Sequence, residues 1–555
     1  MQSVAKISGD TTINLRRWSL RMPGMWISTL SISLLLAIPL FVILGYLLVD
    51  TQIWQHLIDT VLWEYISQSF WLTTNVALVT LILGVSTAWF VVQFDFPGMR
   101  YYQWLLLLPL AIPSYILAFT YNGLLEPLGP LQTWLRDVTG LGFGDYPFPA
   151  FRNLGGASFI LSLALYPYVY MLARTAFLNQ SQRLQEVCAS LGIGRWQQLI
   201  QITLPLARPA IAMGVLLVMM ETLADYGAVA YLGVNTFSVG IFRTWLGLND
   251  VAAAAQLAAI LLLVVFALVG LENYSRRQRQ FTNNTLHQTP QKIQLRGFNG
   301  LLVSLYCLLL VGLGFGVPIY LLGYWSWNAT TVTFSMTVWQ DWLTTTGQTF
   351  VLAAVAAAAT VLIALLLTSS QRWLRHGVIN TLVRLSSLGY AVPGAVIAVA
   401  VILCSTFIDH YFSHWRESNS WLLTGSGLLL IYAYAIRFSS VAIGSTQAGM
   451  TQINRSLDET AQTLGLSYSR ILSRIHLPLL KTSLLTAGLL VFVDVLKELP
   501  ITLVLRPFNT NTLAVKTFEL AGDEQLQQAA PYALMIVMVS IIPVLVLNRA
   551  LLKRR

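Results

Sequence analysis

The chain has 555 residues, of which 56% are hydrophobic and 10% are charged. Soluble domains carry about 25% charged residues on average, so this composition excludes a water-soluble enzyme and indicates a polytopic membrane protein. We attribute the net charge of +10 to basic cytoplasmic loops rather than to nucleic-acid binding, and the three cysteines have neither metal-site nor disulfide spacing.

The predicted elements are helices long and apolar enough to cross a bilayer. A span takes about 20 apolar residues. The first apolar run, 26–49, follows four basic residues and is too long for the apolar core of a cleaved signal peptide, so we expect it to be retained. Twelve spans are predicted, at 26–49, 70–92, 104–124, 157–177, 210–232, 252–271, 300–324, 348–367, 383–407, 424–441, 483–506 and 530–548.

The distribution of basic residues predicts the orientation of these spans. If the N-terminus lies inside, 26 of the 33 Lys and Arg residues fall in inner loops and tails or at the span ends beside them. The outer loops 50–69 and 325–347 contain no Lys or Arg. The positive-inside rule therefore predicts a multi-pass protein of a bacterial inner membrane with both termini in the cytoplasm.

A polar stretch divides the spans into two sets of six. Residues 272–299 are basic and rich in Gln, Asn and Thr, which is typical of a linker. The flanking halves, 1–271 and 300–555, form a repeat. The 23 residues from Glu186 match those from Glu459 without gaps, with eight identities at an offset of 273. Since six is an even number, both copies enter the membrane in the same direction, and the predicted fold is all-α with two parallel pseudo-twofold halves.

The repeated segment is a polar inner loop between the fourth and fifth spans of each half. A glycine six residues after the glutamate predicts a turn with positive φ between two short helices, and a later proline is expected to end the second helix. In that helix Leu199 and Ile202 lie three apart and share one face, and Leu472 and Ile475 repeat the pair. Such a face is suited to a groove on a partner. The alternative is an amphipathic connector packed on its own spans, which accounts less well for two matched copies.

These loops resemble the EAA loop, the signature of ABC importer permeases. The resemblance is carried by Glu186, Gly192, Ile202, Leu204 and Pro205, and by Glu459, Gly465, Ile475, Leu477 and Pro478. It implies that each loop is a coupling helix that fits a cleft on an ATP-binding subunit. The consensus Glu-Ala-Ala reads Glu-Val-Cys in the first copy and Glu-Thr-Ala in the second, so equal coupling by the two loops is not implied.

The fused halves and three further stretches look like the ferric-iron permeases of this family. The stretches are ETLADYG at 221–227, KELP at 497–500 and LRPFNTNTLAV at 505–515. The resemblance implies a transport subunit rather than an enzyme. Its expected partners are two ABC ATPase subunits, a periplasmic substrate-binding protein and membrane lipid. Thiamine permeases are close relatives, so thiamine or another organic cation is the alternative substrate.

The sequence contains no ATP site of the P-loop type. That motif needs a Gly-Lys pair, and none of the six lysines follows a glycine. We therefore expect no cofactor in this chain, with ATP and Mg²⁺ bound by the partner ATPase.

Four carboxylates at matching places in the fifth span of each half are the candidates for a translocation path, namely Glu221, Asp225, Asp494 and Glu498. Charged groups within a span are costly unless they face water, a partner or a substrate. With Lys497 charged, four negative charges and one positive leave a net charge of −3, which favours a cation such as ferric iron, thiamine or a polyamine. In the alternative, structural interpretation, Lys497 pairs with Asp494 and some carboxyls stay protonated.

Two weaker interpretations concern a metal site and a different transport class. His410 and His414 lie four apart in an outer loop and share a face if that loop is helical, but a polar connecting loop explains them better because no third ligand is evident. A proton- or sodium-coupled carrier with twelve spans would also contain membrane carboxylates. It would not explain the two matched loops.

Overall fold

The computed structural model describes residues 23–51, 53–180, 187–188, 190–277, 292–332, 336–412 and 424–552, and these are almost entirely helical. The helices are α1 (Pro23–Gly45), α2 (Ile53–Thr60), α3 (Leu62–Gln93), α4 (Met99–Leu105), α5 (Ser114–Leu125), α6 (Pro130–Thr139), α7 (Leu154–Leu178), α8 (Arg195–Gln198), α9 (Leu204–Ala224), α10 (Gly227–Tyr231), α11 (Phe237–Phe242), α12 (Val251–Arg277), α13 (Phe298–Val311), α14 (Val317–Val332), α15 (Met336–Leu374), α16 (Gly377–Ser386), α17 (Gly394–Phe412), α18 (Gly427–Gln452), α19 (Arg455–Thr463), α20 (Tyr468–Ile471), α21 (Leu477–Leu496), α22 (Pro500–Leu505), α23 (Leu513–Gly522) and α24 (Leu526–Leu552).

The prediction of about twelve membrane spans is confirmed. Within the described ranges, 11 helical segments are long and apolar enough to cross a membrane, and a bent pair raises the number to 12. This pair corresponds to the predicted span 104–124, and its two parts meet at 90°. The bend follows from Pro113, which precedes α5, because proline has no N–H to donate and disfavours a helical conformation at the residue before it.

Three other predicted spans are also interrupted. The predicted span 383–407 is wrong as one continuous helix, because α16 ends at Ser386 and α17 begins at Gly394, after Pro393. The predicted spans 210–232 and 483–506 are wrong in the same way. The first divides into α9 and α10, and the second into α21 and α22.

Helix packing divides the chain into two compact units. Unit A comprises residues 49–346 and 511–555, and unit B comprises residues 1–48 and 347–510. Each unit contains helices from both predicted sequence halves. In unit B, α1 packs on α16 and α17, whereas in unit A α24 packs on α14 and α23. The predicted boundaries of the sequence repeat stay a prediction, since packing follows a different division of the chain.

Glycines allow close helix approaches in the core of each unit. In unit A, a Cβ placed on Gly84 of α3 would lie 2.6 Å from the Cβ of Val169 on α7. In unit B, a Cβ on Gly449 of α18 would lie 2.7 Å from the Cβ of Ser483 on α21. Since a methyl group does not fit at such distances, these glycines set the separation of the helices, as small residues do in membrane bundles.

A short strand pair holds the chain after the predicted linker. Strand β1 (Phe94–Asp95) follows α3 and pairs in parallel with β2 (Ile293–Gln294). Beside it the ammonium group of Lys292 donates to the carbonyl oxygen of Val91 at 3.0 Å. Helix α12 extends into the predicted linker as far as Arg277, and residues 278–291 lie outside the described ranges.

Candidate functional site: repeated loops joined to breaks in the membrane helices

The repeated loop of unit B turns at its glycine. Helix α19 ends in a turn in which Gly465 has φ +78°, a left-handed conformation that is strained for other residues. The N–H of Leu466 donates to the carbonyl oxygen of Ala461 at 3.0 Å, which is the bond of a Schellman motif. The buried Ala461 is the third residue of the Glu-Thr-Ala stretch, so a small side chain is needed there.

The loop of unit A has the same turn. Gly192 has φ +71°, and the N–H of Ile193 donates to the carbonyl oxygen of Cys188 at 3.0 Å. Cys188 is buried, as its counterpart is. The predicted coupling residue Glu186 lies outside the described residues, whereas its counterpart Glu459 is exposed on α19.

A wide π turn joins each loop to a membrane helix. After α8 the turn Leu199–Thr203 is π-helical, and the N–H of Leu204 donates to the carbonyl oxygen of Leu199, five residues back. Pro205 then occupies the second position of α9, and a π turn at Leu472–His476 precedes the matching proline of α21. The prediction that these prolines end the helix is wrong, because the helix continues through the π turn and past the proline.

The second helix of each loop, after the glycine turn, is consequently the start of one long helical rod. The segments Arg195–Ala224 and Tyr468–Leu496 run without interruption over 30 and 29 residues, about 45 Å at 1.5 Å per residue. A displacement at the loop therefore moves the far end of the same rod.

The exposed apolar surface of the loops differs from the predicted face. Leu199 is only 6% exposed, because it packs inward, whereas Leu191 and Leu464 beside the glycines are 69% and 76% exposed. These matched leucines are the most exposed apolar side chains of the two loops among the described residues. The remaining predicted coupling residues are half-buried at Ile202, Leu204, Pro205 and Ile475, and exposed at Leu477 and Pro478.

A buried charged network anchors the loop of unit B. Asp458, next to Glu459, accepts from the guanidinium of Arg372 at 2.6 Å and contacts Nε2 of His476 at 2.7 Å. Arg372 comes from the last turn of α15 and also donates to the carbonyl oxygen of Met450 at 2.7 Å. His476 is fully buried and stacks on Trp373. This network ties α19, the π turn and the end of α15 into one body.

The loop of unit A is held differently. Trp196 of α8 contacts Trp89 of α3 edge to face, with ring centroids 6.0 Å apart. The amide of Gln180 donates to the carbonyl oxygen of Thr203 at 3.0 Å, and Thr203 is the repeat counterpart of His476. In the sequence the residue opposite Asp458 is Gln185, which lies outside the described ranges. The repeat therefore does not conserve the charged pair.

Two of the four predicted path carboxylates cap the breaks in the membrane helices. Oδ1 of Asp225 accepts from the N–H groups of Ala228 and Val229 at 3.0 and 3.3 Å, and Ser114 donates to its other oxygen. These bonds satisfy the free N–H groups at the start of α10. Asp225 therefore stabilises the end of one helix and the start of the next.

Glu498 does the same in unit B. Its carboxylate accepts from the N–H groups of Ile501 and Thr502, each at 3.1 Å, and these positions match those around Asp225 at the offset of 273. Glu498 is 5% exposed. Asp494 forms an ion pair with Lys497 at 2.9 Å, which is the structural alternative considered for this pair.

The remaining predicted groups lie at separate places in the chain. Glu221 is half-buried on the last turn of α9. His410 lies near the end of α17, and His414 is outside the described ranges. Among the described residues, no group of three or more His, Cys, Asp or Glu side chains is placed to hold a metal ion.

Sequence patterns do not point to Arg372, Asp458 and His476 as an anchor. Asp458 and Arg372 are 86 residues apart. The sequence near the loop shows only that Asp458 is a polar residue just before Glu459. A comparison of the two copies indicates that unit B differs here, because Asp458 and His476 align with the uncharged Gln185 and Thr203.

The family described as "Binding-protein-dependent transport system inner membrane component" matches residues 80–280 and 378–555. The chain is 27% identical to the Fe(3+)-transport system permease protein FbpB 2 of Haemophilus influenzae over 95% of its own length and 99% of that protein. It is 24% identical to the putative ferric transport system permease protein FbpB 1 of the same organism, over 80% and 70% of the two chains. It is 25% identical to the ferric transport system permease protein FbpB of Actinobacillus pleuropneumoniae, over 86% and 70%.

Proposed function

This chain belongs to the family of binding-protein-dependent transport system inner membrane components, and on that premise we propose that it imports ferric iron as the membrane subunit of an ABC transporter. The family consists of inner-membrane permeases of ABC importers, so the predictions of an importer permease and of a non-enzymatic transport subunit are confirmed. A secondary carrier is not favoured. Ferric iron is supported by the names of relatives aligned over most of the chain.

The observation that carries the proposal is the rod that joins each repeated loop to a capped break. The glycine turn, π turn, membrane helix and carboxylate cap recur at an offset of 273 in units A and B. A partner that pushes on Leu191 or Leu464 would move a rigid helix and displace its break within the membrane. This geometry suits the conversion of ATP-driven motion into altered access for a substrate.

The partners follow from this arrangement. We propose that two ABC ATPase subunits, carrying ATP and Mg²⁺, dock on the two loops, and that a periplasmic binding protein delivers substrate at the opposite end. The excess of basic residues at the loop side supports an orientation with both termini in the cytoplasm.

Uptake of radiolabelled ferric iron and of thiamine, in cells with and without the gene, tests the substrate. We expect iron uptake to fall on deletion and to return on complementation, with thiamine uptake unchanged. Loss of thiamine uptake alone would overturn the assignment of ferric iron and leave the importer architecture intact.

A separate measurement tests the docking of the ATPase. Cysteines introduced at Leu191 and Leu464 should cross-link to a co-purified ATPase, whereas cysteine at Trp134, exposed on α6, should not. Absence of cross-links at both leucines would contradict docking at the loops.

A further inference from the structure

A cavity of about 850 Å³ opens in unit A far from the repeated loop. Tyr65, near the start of α3, lines it, whereas Trp89 near the end of α3 contacts the loop. Their separation of 24 positions corresponds to about 36 Å along the helix. The cavity therefore lies at the end of the unit where we propose that substrate arrives.

The polar lining of this cavity has an unusual composition for a site that handles a metal cation. The polar side chains are those of His56, Thr60, Tyr65, Tyr226, Arg243 and Thr244. In the described part of the chain, no Asp or Glu belongs to the lining, and none of the four predicted path carboxylates does. The lining thus offers a guanidinium and several hydroxyl groups in place of negative charge.

Close packing fixes the two phenol rings. A Cβ on Gly240 would lie 2.6 Å from a ring carbon of Tyr65, so the ring occupies space that only glycine leaves. The ring of Tyr226 lies 4.2 Å from that of Phe242 and 6.0 Å from that of Phe518, measured between centroids. The phenols are therefore held in place without a ligand.

The positive charge of Arg243 is not balanced by an ion pair within the described residues. Its guanidinium donates to the amide oxygen of Asn235, and Asn235 in turn donates to Glu64 at 2.7 Å. The repeat counterpart of Arg243 is Lys516, which forms an ion pair with Asp341 at 3.4 Å. Of these two matched cations, only Arg243 has no ion pair with a carboxylate among the described residues.

A buried hydroxyl without a partner lies beside Arg243. Thr244 is 1% exposed, and its Oγ1 has no hydrogen-bond partner among the described groups. Both residues belong to a π turn, Arg243–Gly247, a conformation found frequently at functional sites. An unpaired buried hydroxyl is costly, and a small shift of the π turn toward a ligand oxygen in the cavity would give it a partner.

We propose that this cavity binds the transported iron as an anionic, oxygen-rich chelate, with Arg243 pairing with the chelate's negative charge and the hydroxyls of Tyr65, Tyr226 and Thr244 donating to its oxygens. The proposal rests on the proposed function for the choice of metal. A bare trivalent cation would be repelled by Arg243, whereas a ferric ion enclosed by carboxylate or phosphate oxygens presents the anionic surface that a guanidinium recognises.

The cavity is also joined to the coupling rod. Tyr226 follows Asp225 directly, and that carboxylate caps the break at the end of α9. A displacement of the rod would therefore move one of the two phenols that hold the chelate. Binding and ATP-driven release are connected through this single residue.

The test is equilibrium binding of radiolabelled ferric citrate to the transporter complex in phosphatidylcholine nanodiscs. We expect Arg243→Gln to weaken binding by about tenfold or more. Thr244→Val should weaken it by several fold without loss of folding, since the hydroxyl it removes has no partner in the protein. Arg136→Gln is the matched control, because Arg136 bonds Tyr146 and Thr133 and does not line the cavity.

Three results would overturn the proposal. The first is unchanged affinity in both Arg243→Gln and Thr244→Val. The second is equally tight binding of citrate without iron. The third is displacement of the chelate by anionic phosphatidylglycerol in the nanodisc, which would assign the cavity to a lipid headgroup.

Cell uptake separates this proposal from the proposed function. If deletion of the gene leaves ferric uptake intact, the proposed function fails. If deletion abolishes uptake but the Arg243→Gln chain restores it fully, the ferric importer stands and the chelate cavity is overturned.

Discussion

Asp458→Asn should release the loop of unit B from its anchor. The substitution keeps the size of the side chain but removes the charge that pairs with Arg372 and contacts His476. The side chains of Arg372 and Asp458 are 8% and 7% exposed, and loss of one partner from a buried ion pair costs about 3–5 kcal/mol. Because Arg372 keeps its bond to the carbonyl of Met450, we expect about 3 kcal/mol, near the lower limit.

Hydrogen exchange of α19 measures this loss directly, since it reports local opening rather than global unfolding. A change of about 3 kcal/mol corresponds to roughly 150-fold faster exchange of the protected amides. ATP-driven transport in proteoliposomes should fall in parallel, because a loose loop no longer moves the rod. The exchange of α8, in the loop of unit A, should not change.

Two further variants make the reasoning refutable. Asp341→Asn removes a half-exposed carboxylate from the ion pair with Lys516, and we expect an effect below about 1 kcal/mol. The double variant Arg372→Met with Asp458→Leu removes both charges, but it also leaves backbone carbonyl oxygens bonded by Arg372 and Nε2 of His476 without partners. We therefore expect it to lose at least as much stability as Asp458→Asn. Unchanged exchange of α19 in Asp458→Asn would refute the anchor, and full recovery in the double variant would refute the contribution of these further bonds.

Three further predictions concern the turns, the helix contacts and the caps. Replacement of Gly192 and Gly465 by valine should abolish transport while the protein still reaches the membrane, since positive φ costs an L residue about 1–2 kcal/mol; uptake by the double variant at the level of Gly444→Ala would contradict this. Gly84→Ala should lower the melting temperature of the protein in a thermal-stability assay, because its methyl group would overlap α7. Asp225→Ala should destabilise the break by about 1 kcal/mol through loss of a cap. Asp225→Asn keeps a side-chain acceptor and should melt at a higher temperature than Asp225→Ala, so equal melting temperatures for the two variants would argue against capping.

The span count and the repeated loops could be predicted because each depends on local pattern. Twenty apolar residues identify a span wherever its neighbours lie, and the pair Gly192 and Gly465 marks a turn through a property of the glycine backbone. The breaks were harder to predict. An Asp or Glu in an apolar run has the same sequence signature whether it lines a path or caps a helix. The sequence predicted that Asp225 and Glu498 line a path, and the structure shows that both cap helices.

The anchor and the cavity depend on contacts between distant segments. Arg372 and Asp458 come from different helices, and no periodicity connects them. The lining of the cavity likewise combines His56, Tyr65, Tyr226, Arg243 and Phe518, which no motif links. Such sites follow from tertiary packing, so one sequence without a structure does not reveal them.

The π turns at Leu199–Thr203 and Leu472–His476 have a consequence for insertions and deletions. A π turn is equivalent to one extra residue within an α-helix, and one residue corresponds to about 100° of rotation at 3.6 residues per turn. Deletion of one residue from either turn would restore regular α-helical winding and leave the downstream side chains near their present angular positions, because the widened turn already absorbs the extra residue. The same deletion in a regular turn of either rod would rotate every downstream side chain by about that angle, so the π turns are where a one-residue change of length is best tolerated.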